Sequence, residues 1–124
     1  MPELIKIASL IQAKITLLSK GRTIIKERAI EKARSSSKYD KELALTIIRL
    51  KNGEKLELEG KTIENPVATI SEKISKGIVW KEKLAMDEAE ALYKASITNM
   101  NSLTTEVNAL QSLLRIMDEV EGES

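Results

Sequence analysis

Residues 50–61 read LKNGEKLELEGK, and the way this stretch folds decides the architecture of the whole chain. Asn52-Gly53 is either the two-residue turn of a β-hairpin or the left-handed stop at the end of a helix. The first option gives a small mixed α/β domain, with Ile47 and Ile48 in a strand. The second option gives two long helices folded against each other.

The residues that precede Asn52 favour the helical option. Leu43, Ile47 and Leu50 continue the helical spacing of the chain before them. A strand would place apolar side chains of this segment on both faces, which is poor alternation. We therefore predict a first helix over about 3–51. In the strand alternative, this helix ends near Arg34.

A broad apolar stripe runs along the first 30 residues at alternating steps of three and four. Its members are Leu4, Ala8, Ile11, Ile15, Leu18, Ile25 and Ala29. A second row, formed by Leu10, Leu17 and Ile24, widens it. A stripe this broad predicts burial against more than one neighbour. Gly21 interrupts it at a cost of about 1 kcal/mol and marks a point where the helix bends easily.

After the helix stop, the chain predicts a short β-hairpin over about 54–64. Glu59-Gly60 is the expected turn, which places Leu56 opposite Ile63. An isolated two-stranded ribbon is only marginally stable in water. The hairpin is therefore expected to pack against another element at the connecting tip.

A second helix is predicted over about 66–120. Asn65 is a suitable N-cap, and Pro66 suits the first turn because its missing N–H is not needed there. Gly77 predicts a bend near 75–78.

From residue 86 the second helix carries a regular heptad pattern. One line is Met86, Tyr93, Met100, Val107 and Leu114, and the other is Ala89, Ser96, Leu103, Leu110 and Met117. Four heptads in register predict a packed helical seam, which we assign to oligomer contacts. The predicted fold is mainly α: a single domain, 1–124, forming an antiparallel, coiled-coil-like helical hairpin. A single hairpin leaves its broad apolar faces uncovered, so we expect an oligomeric bundle, with a dimer favoured.

The composition excludes several kinds of chemistry. The sequence has no Cys, so disulfides and thiolate metal sites are absent, and no His, the commonest general base and transition-metal ligand. No window resembles a signal peptide or a membrane span. We expect a non-enzymatic protein without cofactor or metal, located in the cytoplasm and not associated with a membrane.

Charge is distributed unevenly along the chain despite a net charge of +1. Residues 1–41 carry ten basic side chains against four acidic ones, giving +6, whereas residues 86–124 carry two against eight, giving −6. Opposite charge at the two ends predicts that they face each other or that one of them faces a charged partner.

Two features are candidate binding sites. A basic run offers a face for nucleic acid or nucleotide phosphate, although no aromatic side chain is interleaved for base stacking. Its members are Lys20, Arg22, Lys26, Arg28, Lys32 and Arg34. Trp80, the single tryptophan, is either a binding hot spot or a core anchor.

Carboxylate pairs at helical spacing form a third candidate. Glu27 with Glu31, and Asp87 with Glu90, would hold Mg²⁺ in a nucleotide hydrolase if the antiparallel helices brought them together. Their Lys and Arg neighbours favour ordinary surface ion pairs instead.

The segment from about 39 to 115 resembles small helical proteins encoded in prophages of Gram-positive bacteria. The features that look alike are LKNG at the helix end, Pro followed by EKISKG, and the helix from AEALYK to ALQSLLR. The resemblance implies a phage accessory protein that binds stoichiometrically to host defence or replication machinery, or that assists phage DNA recombination. It implies no catalytic residues.

Overall fold

A computed structural model describes residues 2–123 of the chain. Its elements are helix α1 (Pro2–Lys51), strands β1 (Leu56–Leu58) and β2 (Lys61–Ile63), and helices α2 (Ala68–Ile78) and α3 (Trp80–Glu123). The predicted mainly α fold with a small β-hairpin is confirmed. The chain divides into two compact units: unit 1 joins the residues up to Arg28 with those from Tyr93 onward, and unit 2 is Ala29–Leu92.

The stretch that decides the fold ends α1 in a Schellman motif. Gly53 adopts a left-handed φ of 80°. Its N–H donates to the carbonyl of Leu50 at 3.1 Å, and the N–H of Glu54 donates to the carbonyl of Arg49 at 3.0 Å. These two bonds satisfy carbonyls that the end of a helix leaves without partners. The alternative with Ile47 and Ile48 in a strand is therefore wrong.

The β-hairpin has the predicted register and turn. Leu56 pairs with Ile63, and the strands are antiparallel. Glu59 and Gly60 have φ values of 53° and 75°, and a type I′ turn requires positive φ at both central positions. Within unit 2, β1 packs on α2, where a Leu58 methyl lies 3.1 Å from the position of a Cβ at Gly77. The hairpin thus gains the support that an isolated ribbon lacks.

The start of the second helical segment differs from the prediction. Asn65 is not the N-cap: it takes a left-handed φ of 43°, and the N-cap is Val67, in an extended conformation with no side-chain cap bond. A capping residue needs the extended conformation for its side chain to reach the first free N–H groups. Pro66 consequently lies before α2 instead of in its first turn.

The break in this segment falls at Val79, one residue beyond the predicted bend. Val79 has φ −94° and ψ 28°, outside the helical region, and separates α2 from α3. Helical hydrogen bonds continue on both sides, from Val79 N to Ser75 O and from Lys83 N to Val79 O, both at 3.1 Å. Gly77 does not bend the helix; its missing side chain admits Leu58 of the β-hairpin.

In unit 1, α1 and α3 run antiparallel with a narrow seam between them. Lys14 pairs with Glu106, while Gly21, further along α1, meets Met100, which comes earlier in α3. The predicted α3 heptad positions of this unit are all buried or half-buried. These are Tyr93, Ser96, Met100, Leu103, Val107, Leu110, Leu114 and Met117. At Met100 the seam assigned to oligomer contacts therefore packs against α1 of the same chain.

The α1 stripe is buried only along its central line. Leu4, Ile11, Leu18 and Ile25 are buried or half-buried, as predicted. The other side chains predicted to be covered in this unit are exposed. They are Ala8, Leu10, Ile15, Leu17 and Ile24. One facing helix covers a seam two positions wide per heptad, and the flanking positions need a second neighbour.

Small hydroxyl side chains form much of the interior of unit 2. Ser75 is fully buried and Thr46 is 4% exposed, beside the apolar core residues Leu50, Val79 and Ala89. The hydroxyls of Ser75 and Thr46 donate to carbonyls four residues earlier in their own helices, both at 2.8 Å. Because these bonds are local, the buried hydroxyls need no partner on another element.

Candidate protein-binding surface

Trp80 opens α3, directly after the break at Val79. Val79 is 4% exposed, whereas Trp80 is 49% exposed. The Lys81 amino group lies 5.7 Å from the centre of the indole ring. The structure therefore places Trp80 at the surface of unit 2 and not in its core.

Leu84 extends this surface by one helical turn. It lies four residues after Trp80, on the same side of α3, and is 48% exposed. We call Trp80 and Leu84 the α3 apolar pair. Sequence reasoning missed Leu84 because it falls outside both heptad lines, although its four-residue spacing from the tryptophan was a usable signal.

Lysines border the α3 apolar pair. Lys83 lies with its amino group 5.4 Å from the ring centre of Tyr39, and it also pairs with Asp87 at 3.2 Å. Lys81 covers part of the indole face. An apolar contact with a cation, Lys81, at its edge suits a protein partner that presents an apolar pocket with an acidic residue beside it.

The predicted basic run does not form one face. In unit 1, Arg22 and Lys26 are exposed on one side of α1, but Lys20 points about 160° away from Arg22 because a helix turns about 100° per residue. Arg28 and Lys32 are half-buried, while Arg34 is exposed. Alternating steps of two and four residues distribute a run around a helix, and this spacing was already visible in the sequence.

A polar groove in unit 2 collects one member of that run with two other cations. Arg34, Lys38 and Lys81 line it, together with Glu31 and Glu82. The cations outnumber the carboxylates by one. Three cations along one groove provide donors that a phosphate group would require.

The four candidate carboxylates are not assembled into a metal site. Among residues 2–123, no group of three or more carboxylates lies close enough together to hold a metal ion. Asp87 instead forms the i,i+4 ion pair with Lys83. Across the same residues, none of the helices has both the length and the apolar character needed to cross a membrane.

A third surface lies on α1 in unit 1. Leu10, Leu17 and Ile24 are 50%, 48% and 45% exposed. We call these three residues the α1 edge row. They border the buried seam and continue the apolar surface beyond it.

Comparisons with known proteins found no relative of this chain. The chain matches no protein-family model, no curated protein and no solved structure. The helical hairpin and its exposed side chains are thus the basis for a functional proposal, and the likeness to prophage proteins stays a prediction.

Proposed function

We propose that this protein is a non-enzymatic accessory protein that acts by stoichiometric binding to another protein. The observation that carries this proposal is the exposed α3 apolar pair, Trp80 and Leu84, on a regular helix of unit 2. Large apolar side chains on a rigid helix lose little conformational entropy on binding, and tryptophan is enriched among binding hot spots. The resemblance in sequence supports a phage protein that blocks or sequesters a host defence or replication component in the bacterial cytoplasm.

The expected loss of partner binding on removal of Trp80 follows from the exposed area of its side chain. Covering the exposed half of a tryptophan side chain removes on the order of 100 Å² from water, worth about 2.5 kcal/mol. Removing Trp80 is therefore expected to weaken partner binding by roughly 30- to 100-fold. Leu84 contributes through the same contact, so its removal has a smaller effect in the same direction.

A comparative capture experiment tests this proposal. Tagged wild-type protein, Trp80→Ala and Ile30→Ala are used to capture partners from bacterial lysate, and the captured proteins are quantified by mass spectrometry. Ile30 is the matched control because it is a 43% exposed apolar residue of the same unit. We expect a partner recovered in a fixed ratio to wild type and Ile30→Ala but lost with Trp80→Ala.

The captured partner is then titrated against purified protein, with the fluorescence of the single tryptophan as the signal. A shift of that fluorescence that saturates at a fixed molar ratio is the expected result. Equal recovery of every captured protein by wild type and Trp80→Ala would contradict the proposed role of Trp80.

The alternative function is a nucleic-acid-associated role in phage replication or recombination. The polar groove with Arg34, Lys38 and Lys81 is the observation that favours it. If it holds, single-stranded or duplex DNA binds at low salt, affinity falls steeply as salt is added, and Arg34→Glu with Lys38→Glu abolishes binding. Absence of binding to either DNA at low salt would reject this alternative. The control is Thr98→Glu with Thr105→Glu. It adds the same number of acidic side chains at two exposed positions of unit 1.

We also propose that the working form is a homo-oligomer, with a dimer favoured. The exposed α1 edge row supports this part of the proposal, because it is apolar surface that α3 of the same chain leaves uncovered.

A further inference from the structure

The α1 edge row is regularly spaced along its helix. Leu10, Leu17 and Ile24 follow one another at seven-residue intervals. On a helix in coiled-coil packing, residues seven apart lie along one line. All three are about half exposed, so this line places three large apolar side chains at the surface of unit 1.

An ion pair marks the side of the seam on which this strip lies. Lys14, placed between Leu10 and Leu17 along the helix, reaches Glu106 of α3. Seven and fourteen residues after Glu106 come Leu113 and Val120, which are 45% and 62% exposed. The same line of α3 therefore adds apolar surface on this side of unit 1.

The whole chain exposes more surface than is expected of a compact monomer of its mass. A folded monomer of 13.8 kDa is expected to expose about 6,600 Å². This chain exposes 8951 Å², an excess of about 2,300 Å² over that expectation. Permanent homodimers bury roughly 2,000–5,000 Å² in total, or half of that per copy.

We propose that the occupant of the α1 edge row is the edge row of a second copy of this chain, in an antiparallel arrangement about a two-fold axis at Leu17. The row is symmetric about its middle residue, since Leu10 and Ile24 lie at equal distances from Leu17. A two-fold axis there packs Leu17 against its own copy and Leu10 against Ile24 of the second copy. Such an interface is closed and self-complementary.

Charge beside the row disfavours the parallel direction. Lys6 lies one turn before Leu10, and Glu27 lies one turn after Ile24. The antiparallel arrangement brings Glu27 of each copy near Lys6 of the other. A parallel arrangement would instead bring Lys6 next to Lys6 and Glu27 next to Glu27, which is unfavourable.

This inference specifies the surface behind the homo-oligomer of the proposed function, and it is independent of the Trp80 contact. Trp80 lies in unit 2 and the edge row lies in unit 1. Trp80→Ala is therefore expected to leave the mass in solution unchanged, whereas edge-row variants change it. Failure of one proposal can thus be distinguished from failure of the other.

Light scattering on the full chain gives the first test. Wild type is expected to show twice the chain mass at high concentration and to approach one chain mass on dilution. Leu17→Lys places two ammonium groups at the axis and is expected to raise the dimer dissociation constant at least 100-fold. Thr23→Lys adds the same charge at an exposed position outside the row and is expected to behave as wild type. Circular dichroism verifies that each variant keeps its helical content.

Two outcomes would overturn the proposal in this test. One is a wild-type mass of a single chain at every concentration. The other is a helical Leu17→Lys variant that dimerises as tightly as Thr23→Lys.

Cysteine cross-linking gives the second test and reports the direction of packing. The chain has no cysteine, so each introduced thiol is unique. Leu17→Cys is expected to form a disulfide with its own copy under mild oxidation. Leu10→Cys and Ile24→Cys are expected to cross-link efficiently when mixed and poorly when alone. Efficient self-cross-linking of Leu10→Cys and of Ile24→Cys, with no mixed product, would overturn the antiparallel arrangement.

Discussion

Gly21 illustrates how one residue serves the packing of unit 1. It lies inside the 50-residue helix α1 and has a helical conformation, so its backbone does not require glycine. A Cβ at this position would lie 3.4 Å from Met100 Cγ and would overlap the sulfur atom. Gly21 therefore makes room for Met100 in the seam, and the helix tolerates the local loss of about 1 kcal/mol in propensity.

A double-mutant cycle measures the energetic coupling between Gly21 and Met100. Gly21→Ala in a Met100→Ala background is expected to stabilise the protein by about 1 kcal/mol, because alanine favours the helix and nothing obstructs its methyl group. In the wild-type background the methyl group displaces the methionine side chain, and the gain is expected to shrink to about zero or reverse. Urea unfolding followed by circular dichroism gives the four free energies. An equal gain in both backgrounds would show that Met100 does not occupy the space above Gly21.

At the scale of elements, the connection between α1 and β1 depends on backbone conformation more than on packing. Gly53 takes a positive φ, and the nearest atom to a Cβ there is the Asn65 side-chain oxygen at 3.5 Å, an ordinary contact. Substitution at Gly53 is thus costly through φ alone. The same conformation directs the chain out of α1 and into the β-hairpin, so this residue sets where the first helix ends.

Gly53→Ala is therefore expected to lower the free energy of unfolding by about 1–2 kcal/mol, the cost of placing an L side chain in the left-handed region. Gly53→Asn is expected to cost less, because asparagine tolerates this region. Gly122→Ala is the control: this glycine lies in a helix with nothing near its Cβ position, and the change is expected to be neutral or stabilising. Thermal and urea unfolding provide the measurements. A Gly53→Ala variant as stable as wild type would contradict the helix stop described above.

At the scale of the whole molecule, stability depends on how much apolar surface is buried and how much is exposed. Among the described residues, Ile11, Leu50, Val79, Ala89 and Val107 are the buried apolar side chains, a small core for 124 residues. Large apolar side chains stay exposed in both units. Stability is therefore expected to depend on association, since a dimer covers surface that the single chain leaves in water.

This dependence predicts a melting temperature that rises with protein concentration. Binding of one folded copy to another stabilises the folded state by mass action. Over a ~100-fold range of concentration, the Tm of wild type is expected to increase steadily, whereas the Tm of Leu17→Lys is expected to stay constant. Scanning calorimetry or circular dichroism melting curves measure both. A constant Tm for wild type would contradict self-association.

The sequence by itself determined the features that depend on local chemistry and on spacing. The left-handed glycine at the end of α1, the positive-φ turn at Glu59-Gly60 and the heptad lines of α3 follow from residue type and period. Together these features specify the helical hairpin fold. The conformation of Asn65 was not accessible in this way, because asparagine suits both an N-cap and a left-handed position, and no residue type marks Val79 as the break.

Only the tertiary structure decided which apolar residues are covered. Seam positions and edge positions look alike in sequence: Ile11 and Leu10 are both apolar residues of the same broad stripe, yet one is 9% exposed and the other 50%. The physical reason is that a single facing helix covers two positions per heptad and leaves the flanking ones in water. The exposure of Trp80 was equally hidden in the sequence, because a lone tryptophan on a helix is compatible with a surface position and with a core position.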